Sequence, residues 1–124
     1  MATVGYLEGV DPVVLTRLSL RGVGTLPISN GVDNHGKFVN AISERDAIDI
    51  VVGYLHKVMR TQRQGFFPQD LLQACADCRI PTLVIVPREH HATAQVMLGQ
   101  AAEMVTLVDP EDVYDEIASR LGLS

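Results

Sequence analysis

Five short runs rich in β-branched and aliphatic residues, each followed by a stretch with helical punctuation, constrain this chain more than any other feature. The runs are TVGYLE (3–8), GVGTLPIS (22–29), AIDIVVGYLHKVM (47–59), PTLVIVP (81–87) and VTLVD (105–109). Between the first two lies DPVVLTRLSLRG, where Asp11 suits an N-cap, Pro12 the first helical position and Gly22 the C-terminal stop. FPQDLLQACADCRI (67–80) reads as a helix with Pro68 in its first turn, and HHATAQVMLGQAAEM (90–104) as another. PEDVYDEIASRLG (110–122) is an amphipathic helix with acids at its start and Val113, Ile117 and Leu121 on one stripe.

The third run supports two readings. Ile48, Val51, Val52, Leu55 and Val58 fall on a helical stripe, and SERD before them can form a capping box. Against a helix stand four β-branched residues at Ile48, Ile50, Val51 and Val52, and then Gly53, which costs a helix about 1 kcal/mol relative to Ala. The four residues VGYL occur twice, at Val4–Leu7 and Val52–Leu55. That echo of the first strand favours a strand here. The connection SNGVDNHGKFVNAISERD (29–46) has no long periodic run; GKFVNAI can make a turn or two of helix, and the rest is turn chemistry.

Strands alternating with helices predict one α/β domain over residues 1–124, a three-layer α/β/α sandwich around a five-stranded, mostly parallel sheet. Right-handed crossovers leave few layouts, and the commonest for five strands is the flavodoxin-like, Rossmann-like order 2-1-3-4-5. In that order the two VGYL strands are neighbours flanking the point where the chain reverses direction across the sheet. Ligands of such sheets bind outside the carboxyl ends of the strands at that point.

With 124 residues, 47% of them hydrophobic, the chain can bury a core, and with six aromatics and no Trp that core is aliphatic. A net charge of −5 argues against nucleic-acid binding. No basic-then-apolar leader and no apolar run of membrane-spanning length is present, so a cytosolic protein with no membrane partner is expected. Cys75 and Cys78 stand as CADC late in a helix, where the dipole disfavours thiolate, so buried, inert cysteines are expected rather than a redox pair. No second pair of ligands completes a metal site with them.

The predicted carboxyl edge gathers the chemistry. Glu8 and Asp11 follow the first strand, and Asn30, Asp33, Asn34, His35 and Lys37 follow the second. His56, Lys57, Arg60 and Arg63 follow the third. Arg88, Glu89, His90 and His91 follow the fourth, and Asp109 the fifth. All four histidines fall there. Asp11 and Asp109 are explained by helix capping, and His90 and His91 read as surface residues at a helix start. Glu8, His35 and His56 are the candidates for acid–base catalysis, because imidazole titrates near neutral pH. Asn30, Asp33, Asn34, Lys37, Lys57 and Arg60 are the candidates for ligand binding, since local positive charge on an acidic protein suits a phosphate or carboxylate. The long connection after the second strand strengthens the expectation, because connections of that length are often functional.

The loop EGVDP is not the Ser/Thr/Gly-rich phosphate loop of flavodoxins, and the chain lacks the Asp after the third strand, where His56 stands, and the Lys after the fifth that response-regulator receivers need. YLEGVDPVVL resembles the opening of a Toprim domain, in which a Glu-Gly pair ends the first strand and an Asp follows. That ten-residue resemblance implies magnesium-dependent phosphodiester chemistry with Glu8 as acid or base. Toprim domains also end their third strand in Asp-x-Asp, for which GYLHK has no counterpart. The reading that follows from the residues is a domain binding an anionic small molecule, a nucleotide or phosphorylated metabolite, at the carboxyl edge of strands one and three. A non-catalytic subunit or regulatory interaction module, self-associating as a homodimer or higher oligomer, is the alternative. No cofactor is identified.

Overall fold

The computed structural model of the chain describes residues 2–29, 37–38, 47–59, 75–77 and 79–123. Its centre is a parallel sheet of β1 (Thr3–Tyr6), β2 (Gly24–Ser29), β3 (Lys37–Phe38), β4 (Ile50–Tyr54), β5 (Thr82–Ile85) and β6 (Val105–Val108), in the order β3-β2-β1-β4-β5-β6. The five anticipated strands therefore lie in the flavodoxin-like order, with β1 and β4 side by side. Val4 pairs with Ile50 and Tyr6 with Val52 in parallel register. The VGYL echo is a pair of adjacent central strands.

Period-two alternation sends each strand's side chains to two cores. On one face Val4, Ile50, Val52, Leu83 and Ile85 pack under α1 (Pro12–Leu20) and α4 (Val113–Leu121), which supply Val14, Leu18, Val113 and Ile117. Arg17 lies over the Tyr114 ring at 3.7 Å and joins those two helices at the surface. On the other face Leu7, Ile28, Val51, Val84 and Val86 pack against α2 (Leu55–Met59), α3 (His91–Leu98) and the helical residues 75–77, which supply Val58, Ala94, Leu98 and Cys75. Cys75 is fully buried, as its place late in a helix suggested; the side chain of Cys78 lies outside the described residues.

Local punctuation works as read. The Asp11 carboxylate accepts from the Val13 amide at 2.8 Å, Pro12 opens α1, and Gly22 leaves it at φ +80°. The third run turns out to be strand and helix in succession. β4 ends at Tyr54 and α2 begins at Leu55, so the β-branched residues form the strand and the helical stripe survives in Leu55 and Val58. α3 is shorter than expected: Gly99, at φ +59°, breaks it after Leu98, and residues 99–104 continue as a 3₁₀ turn. Lys37 and Phe38, expected within a turn of helix, instead pair with Ile28 and Ser29 and add a sixth, two-residue strand outside β2. That added strand begins only opposite Ile28, so Pro27 precedes the stretch where β2 needs a donor on that side. No helix among the described residues is long and apolar enough to cross a membrane.

Candidate functional site

The carboxyl ends of β1, β4, β5 and β6 face one side of the molecule. Glu8 stands in the turn after β1, and α2 starts directly at the end of β4. Successive helical residues project about 100° apart, so His56 and Lys57 leave that junction in different directions. Lys57 turns towards β1: only 8% of its surface is exposed, and its Nζ lies 3.4 Å from Glu8 Oε2. The Glu8 carboxylate is half in water. Among the described residues it therefore meets Lys57 across the switch point, and not His56.

His56 turns the other way, towards β5. Its ring is exposed and tilted against that of Tyr54, with centroids 5.9 Å apart. There it borders a pocket of about 360 Å³ over the carboxyl ends of β4 and β5. Tyr54, Leu55 and His56 form one wall, and the end of β5 contributes Ile85, Val86 and Pro87. The opposite wall is α3, through Thr93, Ala94 and Met97, with His90 at its start. Ile85, Val86 and Ala94 are buried, whereas His56, His90 and Thr93 are exposed. The buried part of the lining is apolar, and its exposed part carries two imidazoles and a hydroxyl beside Pro87 and Met97.

The α3 wall is fastened to the sheet by the histidine next to the mouth. The Nε2–H of His91 donates to the carbonyl of Val86 at 2.8 Å, which ties the first residue of α3 to the strand end beneath it. His91, expected at the surface, is thus partly buried and bonded, while His90 stays exposed at the rim.

A second, more polar depression of about 600 Å³ lies one step along the edge, between the ends of β5 and β6. Arg88, Glu89, Asp109 and Glu111 border it. Arg88 is engaged there with Asp112 at 2.8 Å. Asp109 accepts from the amides of Arg88 at 2.8 Å and Glu111 at 3.0 Å, as a cap should. These two amides, then the charges of Arg88 and His91, hold its carboxyl below the usual aspartate range. A carboxyl whose acidity is increased by folding stabilises the native state fully above its unfolded value, and loses that contribution as pH falls through the folded one. Asp109→Asn is therefore expected to flatten the acid limb of the melting-temperature profile below the ordinary aspartate range. Parallel profiles for both proteins in that window would contradict this role.

Of the other candidates, Asn30, Asp33, Asn34, His35 and Arg60 lie outside the described residues, and Lys37 is placed only by its backbone in β3. Among the described residues no three acidic, histidine or cysteine side chains cluster as a metal site would need. Glu8, the acid or base that the Toprim resemblance implies, lies beside the Lys57 ammonium group. His90 and Thr93 were missed as pocket residues because a helix start reads as surface; their spacing of three on one helical face was the available signal. No protein-family profile matches the sequence, and no curated protein matches it.

Proposed function

We propose that this domain binds an anionic small molecule at the carboxyl edge of its sheet, in the crevice over β4 and β5 beside the β1/β4 switch point. One observation carries the reading: the buried part of the pocket lining there is apolar, and its exposed part includes His56 and His90. A few convergent polar groups on an apolar cavity are what small-ligand sites are made of, and this cavity is within their usual size range. Imidazole can donate a hydrogen bond to an anionic group in either protonation state and can exchange a proton with it near neutral pH. His56 is the acid–base candidate that borders the pocket, while the Lys57–Glu8 pair braces the junction from which it projects.

Thr93→Trp tests the reading, because Thr93 is exposed and an indole there fills the mouth without entering the core. In thermal melting against a panel of anionic metabolites, the wild type is expected to gain several degrees with a binding member and the variant none, at equal unliganded stability. Equal gains in both would place binding elsewhere.

A second reading, association with a second copy, is favoured by the outer side of β6, against which no strand among the described residues pairs. The Val108 carbonyl accepts from the amide of Val86, just past β5, so the backbone groups of Val105 and Leu107 point outward from β6, the last strand in the described sheet. Two copies related by a two-fold axis could pair there in antiparallel fashion. Sedimentation velocity is expected to show a dimer that Leu107→Pro, which removes an outward donor, converts to monomer. A wild type that stays monomeric at high concentration would remove this reading.

A further inference from the structure

The structure assigns a narrower ligand class to the same pocket: we infer that it takes a compact monocarboxylate with a hydrocarbon body, and not a nucleotide or a polyphosphate. The inference rests on the pocket reading above and goes further in naming what the pocket selects.

Three observations carry it. First, polarity follows exposure in the cavity lining. The buried lining residues Ile85, Val86 and Ala94 are all apolar, whereas the exposed ones include His56, His90 and Thr93 beside Pro87 and Met97. A ligand satisfies both ends only if its body is apolar and its charged group stays at the rim. A phosphosugar or ribose would bring several hydroxyls against the buried apolar side chains of Ile85, Val86 and Ala94, and each group left unpaired there would count against binding.

Second, two cations of this edge, Lys57 and Arg88, are paired away from the pocket. Lys57 is drawn under Glu8, and Arg88 is held by Asp112 over the neighbouring depression. Among the described residues no Lys or Arg borders the pocket. The described side chains that offer the pocket polar groups are His56, His90, Tyr54 and Thr93, a set suited to one carboxylate, whereas protein sites meet several phosphate charges with Arg, Lys or bound metal.

Third, the neighbourhood repels excess negative charge. Glu89, Asp109 and Glu111 border the adjoining depression, and Asp112 lies against Arg88 there. The whole chain carries −5. A single charge paired at the mouth is tolerated in such a field; two or more would be increasingly disfavoured.

Isothermal titration with four probes tests this: octanoate, benzoate, octanamide and AMP, against wild type, the double variant His56→Gln/His90→Gln, and Thr93→Trp. Octanoate or benzoate is expected to bind the wild type about tenfold more tightly than octanamide, the margin of a charge-assisted hydrogen bond over a neutral one. That margin should vanish in the double variant, and all binding should vanish in Thr93→Trp. AMP should give no heat of binding. The failures are distinguishable. AMP binding that Thr93→Trp blocks, or equal affinity for acid and amide, overturns the ligand class and leaves the pocket standing. Binding of any probe that survives Thr93→Trp, or no binding of any probe, overturns the pocket reading as well.

Discussion

Gly53→Ala is expected to cost about 2 kcal/mol or more of stability, and Gly5→Ala about 1 kcal/mol or less, although the two glycines occupy the same place in the two copies of VGYL. A Cβ built on Gly53 would lie 2.5 Å from Leu7 Cδ1, 2.9 Å from its Cγ and 3.0 Å from its Cβ. The Leu7 Cβ cannot swing aside. Its backbone is fixed by the Leu7 amide, which donates to the Val52 carbonyl at 3.0 Å. Relief would need β1 to move against β4. At Gly5 the overlap is with the terminal Cδ1 of Ile28, and the next atoms, Ile28 Cγ1 and Ile48 Cγ2, are at 3.4 Å. A χ2 rotation in Ile28 relieves most of it, and alanine recovers some stability by restricting the unfolded chain. Urea denaturation of both variants measures the difference; equal midpoints would mean that Leu7 does not lock against Gly53 as described.

The second large effect separates two neighbours in the chain. His56→Ala is expected to weaken ligand binding at least about tenfold while changing stability by less than about 1 kcal/mol, since its exposed ring contributes a hydrogen bond at the pocket mouth. Lys57→Ala is expected to do the opposite, costing about 2 kcal/mol of stability and leaving affinity within a few-fold. Lys57 is buried, and its ammonium holds Glu8 across the β1/β4 boundary. Denaturation midpoints and titrations on the same samples read both quantities. If Lys57→Ala abolishes binding at unchanged stability, the ligand sits over β1 and β4, and the pocket between β4 and β5 is not its site.

The strand order was legible because each run carried its own stop signals: Asp11, Pro12 and Gly22 around α1, and Asp109 and Gly122 around α4. The VGYL echo was informative for a packing reason. Both copies place a glycine where a neighbouring strand's side chain crosses, and the residues around each glycine alternate between the same two cores. What could not be read was the direction of His56. On a strand extended to residue 56 it would share an edge with Glu8. With helix starting at Leu55 it rotates away, and Lys57 takes the contact with Glu8. A shift of two residues in one boundary thus moves the centre of the candidate site by one crevice, and boundaries are where local propensity is weakest. α3 ran short for a related reason, since Gly99 reads as a tolerable helical glycine until its positive φ is known. Asn30, Asp33, Asn34, His35 and Arg60 lie outside the described residues.

Amide chemical-shift mapping with a pooled set of small anionic metabolites tests the central claim most directly. The shifts are expected to centre on residues 54–56, 85–87 and 90–97, the two walls and the floor of one pocket. Shifts centred instead on residues 8–11 and Lys57, or on Glu89 and Glu111, would contradict it.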